Sequence, residues 1–350
     1  MPVEFLSEGQ VARFGRFAAD PSPVELERFF RLDGDAWRLV GSKRRDENRL
    51  GFAVQWGTVR MVGAFLGENP TAVPAGVVAF ACEQLGIADP SCLGAYAERS
   101  KTAYEHQWEI RRECGYREFA AGEGDLRTFV AARAWACEDG PRALFDRAVL
   151  WLIEHRVLLP GITVLARLVA EVRAGEHERV HELLAGAVPE GLADRHEALL
   201  VVEGARRSPL DRLRTGPTNL SGRGLAGAFE RALEVKGLGA GAVELPKVPP
   251  VKVAALARYG LSANAAALRV LSERRRAATL LATVRQLETD AVDDALDLFD
   301  LLMATKLLAK AERLGAKAKL KTLPGLRRAA VKIARRSRCC WRSRRQAVVR

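Results

Sequence analysis

With 350 residues, 48% of them hydrophobic and 28% charged, the chain has a globular composition and room for two or more cores, since a single core stops growing near ~250 to 300 residues. No apolar run approaches the ~18 residues of a membrane span, and the opening "PVEFLSEGQVARFGR" lacks the charged-then-apolar layout of a secretory signal, so a cytoplasmic chain that does not engage a membrane is expected. The net charge of +12 belongs to one end. Residues 306–350 hold sixteen Lys or Arg against one acid, Glu312; the other 305 residues, with 39 basic and 42 acidic, are slightly acidic. Any affinity of that body for a polyanion must come from local patches.

Apolar spacing of three and four dominates, without strand-like alternation, and predicts an all-α protein. Ser7 with Gln10, and Ser22 followed by Pro23 and Glu25, are capping boxes that open the first helices. "GSKRRDENRLGF" then sets Lys43, Arg44, Arg45 and Arg49 at the start of a helix whose buried stripe reads Leu50, Ala53, Val54, Gly57, Met61 and Phe65. Gly86, Gly115 and Gly260 each follow an apolar-periodic run and suit a left-handed helix stop. An apolar helix over 141–159 is expected to end at Pro160-Gly161, and the turn formers of 237–250 mark a second break. Beyond residue 305, "KAERLGAKAKLKTLPGLRRAAVKIA" suits a basic helix pair, whereas "RRSRCCWRSRRQAVVR" has no apolar period and is expected to be disordered; an out-of-frame reading of G+C-rich DNA would give the same composition.

Within "VVAFACEQLGIADPSCLGAYA", residues 77–97, Ala81, Cys82, Leu85, Gly86, Ile87, Cys92 and Ala95 fall where a helix-turn-helix packs its two helices. Asp89 is placed to cap the second helix with Pro90 at its first position, leaving Ser91, Gly94, Arg99 and Lys101 near a DNA groove or backbone. Two short core helices would give the same spacing. Arg111 with Arg112, and the triplet Arg274, Arg275 and Arg276, are further candidates for phosphate contacts, against the plainer reading of a solvated face.

Three patterns suggest other chemistry and are set aside on context. "HERVH", residues 177–181, fits the H-E-x-x-H of zinc proteases, but Gly175 is expected to interrupt the helix just before it, and neither His196 nor Glu203 arrives at a third-ligand spacing. Gly237, Gly239 and Gly241 have the spacing of a dinucleotide loop but follow a helix, not a strand. Asp290, Asp293, Asp294, Asp297 and Asp300 are expected on the wet side of a helix whose apolar stripe is Val292, Ala295, Leu296, Phe299 and Leu302, a poor two-metal site because catalytic carboxylates normally converge from several elements. The six cysteines (82, 92, 114, 137, 339, 340) form no C-x-x-C pair and are expected to be buried reduced thiols. No catalytic residue, metal ligand or cofactor is therefore expected.

Ordered blocks, among them "MPVEFLS", "ADPSPVELERFFRLD", "NRLGFAVQWGTVRMVGAFL", "VPAGVVAFACEQLGIADPSCLGAYAER", "EHQWEIRRECGYREF", "LLPGITVLARLVAEVR", "VPPVKVAALARYGL" and "AVDDALDLFDLLMATKLLAKA", resemble the N-terminal part of Tn3-family transposases over residues 1 to about 311. The resemblance implies two helical DNA-binding domains that recognise terminal inverted repeats, here 1–160 and 161–250, then the start of a helical connecting region, 251–311, and a basic tail, 312–350. It also implies that the family's RNase H-like catalytic domain lies beyond these residues, so that the chain is a truncated, non-enzymatic part of a transposase. The expected partner is double-stranded DNA of transposon ends. The alternative is an interaction module that pairs with and inhibits full-length transposase, suggested by an apolar helix pair over 278–308. One departure is Ala103, where the family pattern has a basic residue before "EH".

Overall fold

Residues 5–66, 69, 71–98, 100–202 and 207–347 are described by the structure, a computed structural model. Their regular structure is helical, apart from one isolated parallel bridge between Arg117 and Val157. The chain divides into two compact units, residues 1–183 with 247–255, and residues 184–246 with 256–350.

The first unit opens with α1 (Glu8–Arg13), α2 (Pro23–Phe30), α3 (Gly34–Gly41) and α4 (Asp46–Val62). Both expected capping boxes are present: Ser7 and Ser22 accept from Gln10 and Glu25 N–H while those side chains reach back, each worth about 1 kcal/mol. Helix α4 is buried on all sides over residues 50–59, so the predicted stripe was too narrow there: Phe52, Gln55, Trp56 and Thr58 are enclosed too, whereas Met61 is only half-buried and Phe65 lies beyond the helix end. Glycine makes this possible. A Cβ on Gly51 would fall inside the Tyr96 ring, and one on Gly57 inside the Phe30 ring.

Around α4 pack α5 (Ala75–Leu85), α6 (Leu93–Ala97) and α7 (Ser100–Cys114), giving a core that includes Phe30, Val40, Phe52, Trp56, Val77 and Ile110. A second core, with Leu126, Phe145, Leu152 and Leu165, joins α8 (Phe119–Ala136), α9 (Pro141–Glu154) and α10 (Ile162–Gly186). Helix α9 stops at Glu154, five residues short of expectation, because residues 155–159 turn back: Arg156 adopts φ 53°, its carbonyl accepts from Arg117 N–H at 2.8 Å, and Leu159 N–H donates to the Gly63 carbonyl at 2.9 Å. Helix α10 begins at Ile162, just past the expected Pro160-Gly161 break, and runs unbroken through Gly175. The segment 247–255 is tied to this unit by Lys252, whose ammonium donates to the Cys137 carbonyl.

The second unit contains α11 (Glu190–Ala198), α12 (Pro209–Leu213), α13 (Gly222–Gly237), the part of α14 (Pro250–Ser262) from Leu256 on, α15 (Ala265–Arg269), α16 (Glu273–Leu302) and α17 (Ala309–Ala347), with a π turn, Met303–Leu308, between the last two. Its core centres on α16, where Leu280, Leu281, Val284, Leu287 and Ala291 meet Leu200, Leu210 and Val235. Gly260, expected to stop a helix, lies inside α14; a side chain there would overlap Thr283, so close approach of α14 to α16 explains this glycine. The expected helix pair over 278–308 is instead the single helix α16 followed by the π turn. The expected basic helix pair and residues 335–347 of the segment expected to be disordered form one helix, α17, which continues through Pro324; its Ala, Leu, Lys and Arg are all strong helix formers.

Candidate nucleic-acid interface

Helix α5 ends at Gly86 in the left-handed conformation (φ 65°), and its turn leads to Asp89, which accepts from Ser91 N–H at 2.9 Å with Pro90 at the first position, as the spacing predicted. The chain then makes a single 3-10 turn, Pro90–Cys92, and the five-residue α6, rather than one recognition helix. Ile87, Leu93 and Tyr96 point into the core while Ser91 and Gly94 remain exposed, as does Ala95, which was expected to pack between the helices.

The start of α4 meets this turn. Arg49 donates to the Leu85 carbonyl at the end of α5 (3.3 Å) and pairs with Asp46 at 3.0 Å. Burial raises the Cys92 thiol pKa, and the charges of Cys82, Asp89, Asp46 and Glu47 raise it further, which marks the proximity of those carboxylates. Carboxylates therefore partly neutralise the cations at this end of the unit. Arg45 lies 3.6 Å from Glu47, whereas Arg44 is exposed with no ion pair among the described residues.

Lys43 is turned inward. Its ammonium pairs with Glu109 of α7 at 2.5 Å and sits 4.8 Å from the Phe52 ring centre, with 13% of the side chain exposed. Beneath it lies a buried polar chain: the Gln55 amide donates to Tyr96 Oη, which lies 3.0 Å from His106 Nδ1. Burial, reinforced by the Lys43 charge and opposed by Glu109, lowers the His106 pKa to about 4, so the ring is neutral. Burial likewise pushes the Tyr96 phenol up. Ala103 is 4% exposed and its carbonyl accepts from Gln55, so the departure from the family pattern falls at a core position.

The remaining expected cations separate into exposed and internal ones. On α7, Lys101 is 90% exposed and 3.9 Å from Glu105. Arg112 is 78% exposed beside Glu113, whereas Arg111 pairs with Glu118 over the Trp108 ring. Ten residues of helix put Lys101 and Arg111 about 15 Å apart along the axis. Arg99 and Glu203 lie outside the described residues. In the second unit Arg274 and Arg275 are exposed, the latter 5.6 Å from the Tyr259 ring centre. Arg276 is structural: it pairs with Glu197 at 2.5 Å and caps the Arg269 and Leu271 carbonyls.

The rejected chemistries have structural counterparts. His177 and His181 lie inside α10 rather than at a helix start, and His181 is 9% exposed. No cluster of three metal-ligating side chains occurs among the described residues. Gly241 N–H donates to the Glu288 carboxylate at 3.0 Å. Along α16, Asp294 pairs with Arg231 at 2.6 Å and Asp290 accepts from Gln286 at 2.8 Å. The buried stripe there is Leu287, Ala291, Ala295, Leu298 and Leu302; Val292, Leu296 and Phe299, expected inside, are 41%, 50% and 41% exposed. Cys82 is buried and Cys92, Cys114 and Cys137 half-buried, all four free. No described helix is long and apolar enough to cross a membrane.

Residues 5–172 match a family model described as a domain of unknown function, DUF4158. Over 343 residues, 96% of its length, the chain is 36% identical to the transposase for transposon gamma-delta of Escherichia coli (strain K12). The chain is homologous to the Tn3-family transposases. It is also 53% identical over 134 residues, 38% of the chain, to the transposase for transposon Tn4556 of Streptomyces fradiae. Against the transposase for transposon Tn1546 of Enterococcus faecium the identity is 25% over 296 residues, 80% of the chain. These alignments cover 34%, 15% and 30% of the respective transposases, so the chain spans about a third or less of the relatives it matches. The expected cations left one group out: those of α17, set aside with the tail although their helical spacing was present in the sequence.

Proposed function

We propose that the chain is the DNA-binding part of a Tn3-type transposase, that it recognises the terminal inverted repeats of a transposon, and that it neither cuts nor joins strands by itself. The observation that carries this reading is an alignment with a transposase along 96% of the chain. The exposed cations support it: Arg44, Arg45, Lys101 and Arg112 on the first unit, and Arg274 and Arg275 on the second, lie at the surface, with Ser91 and Gly94 open at the turn between α5 and α6. In this reading residues 1–160 and 161–250 carry two DNA-binding domains, 251–311 begin a connecting region, and double-stranded DNA is the partner. Footprinting on a labelled transposon end tests it. Protection within the terminal repeat, absent on a scrambled duplex, is the expected result; no protection refutes the reading.

The exposed Val292, Leu296, Phe299 and Leu301 of α16 favour a second reading, in which this face pairs with full-length transposase and inhibits it. Light scattering of the two proteins mixed would then show a joint species, and separate monodisperse species would refute pairing.

A further inference from the structure

Every side chain of residues 310–335 on α17 is exposed. These residues carry nine cations and one acid, Glu312. At about 100° per residue, Lys310, Arg313, Lys317, Lys321, Arg328, Lys332 and Arg335 fall within one stripe roughly 100° wide and about 37 Å long, while Lys319 points the opposite way. None of the seven makes an ion pair among the described residues. The guanidinium groups of Arg313 and Arg328 donate only to carbonyls of their own helix, those of Ala309 and Pro324.

Such a stripe repels itself. Arg313 with Lys317, Lys317 with Lys321, and Arg328 with Lys332 are like charges four residues apart, each pair unfavourable by about 0.2 to 0.5 kcal/mol. A polyanion laid along the stripe offsets these repulsions by attracting each cation. Duplex DNA presents one phosphate per ~1.7 Å of axis, about twenty over the length of the stripe, enough for seven cations without any demand on sequence. An anionic membrane fits less well, because interfacial helices carry a broad apolar face with aromatic anchors; residues 309–335 contain no Phe, Tyr or Trp, and Pro324-Gly325 interrupts the leucines.

We propose that this stripe of α17 lies along the phosphate backbone of duplex DNA as a sequence-independent clamp; the choice of DNA as the polyanion rests on the functional reading above. The test is a salt series of fluorescence-anisotropy titrations of the full chain with end-bearing and scrambled duplexes. Replacing Lys317, Lys321, Arg328 and Lys332 by Gln, a residue of similar helix propensity, should reduce the salt slope on both duplexes by about three to four, at ~0.9 per phosphate contact. Preference for the end should be unchanged, and Lys319→Gln alone should leave the slope as it is. An unchanged slope in the fourfold variant overturns the proposal. So does an equal loss from Lys319→Gln, or binding to phosphatidylserine vesicles that the fourfold variant abolishes while its duplex binding stays intact. Equal binding of end and scrambled duplexes with a stripe-dependent slope would instead refute end recognition and leave the clamp standing.

Discussion

Helices α4 and α17 are opposites built from the same geometry. Residues 50–59 of α4 are buried on every side, with glycines where Tyr96 and Phe30 press against the backbone, whereas residues 310–335 of α17 touch solvent all round. Tertiary packing therefore holds α4, and its helix is inseparable from the fold of the first unit. Local propensity holds α17, which leaves its whole surface available to a partner. Their charges follow the same division: Lys43, next to α4, is matched by Glu109, whereas the stripe of α17 is unmatched.

Substitutions sharpen this contrast. The largest effect is expected from Phe52→Ala, which empties a fully buried site and should cost about 3–5 kcal/mol in a urea unfolding transition of the first unit; a loss below 1 kcal/mol would mean that α4 is not the centre of that core. Next comes the buried chain beneath Lys43. His106 has its pKa lowered to about 4 from the ordinary ~6.5, so the unfolded chain takes up the proton first. Stability should be full above pH ~6.5 and fall by an amount on the order of 3 kcal/mol toward pH ~4. His106→Gln should flatten that pH dependence, and an equally steep profile in the variant would remove His106 as its source. On α17, Ala318→Gly should weaken the local helix by about 1 kcal/mol and lower the circular-dichroism signal without moving the unfolding midpoint of either core; a shifted midpoint would show that α17 is packed. The smallest effect belongs to Arg44→Ala with Arg45→Ala, expected to lower the salt slope of duplex binding by about two and leave stability unchanged; an unchanged slope would exclude both residues from the interface.

Much of the fold was legible locally. Caps, helix periodicity and the left-handed glycines Gly86 and Gly115 depend on neighbours in sequence, and the structure has them. Features set by distant partners were not. A helix enclosed on all sides has no single stripe to read, so α4 looked narrower than it is. On α16 two apolar stripes lie side by side, and only contact with the rest of the second unit selects Leu287, Ala291 and Leu298 over Val292, Leu296 and Phe299. Gly260 resembled a helix stop because its crowding comes from Thr283. The candidate site divides in the same way. The Arg and Lys positions were visible, but the partners that fix Lys43 and Arg276, Glu109 and Glu197, are 66 and 79 residues away.

The central claim is that this chain binds duplex DNA and prefers a transposon end. Its most direct test is an equilibrium titration of the purified chain, at one fixed salt concentration, against a duplex carrying a terminal inverted repeat and a scrambled duplex of equal length. The account predicts at least about 10³-fold tighter binding to the repeat, the lower end of specific protein–DNA discrimination. Equal affinities for the two duplexes, or no binding to either, would contradict it.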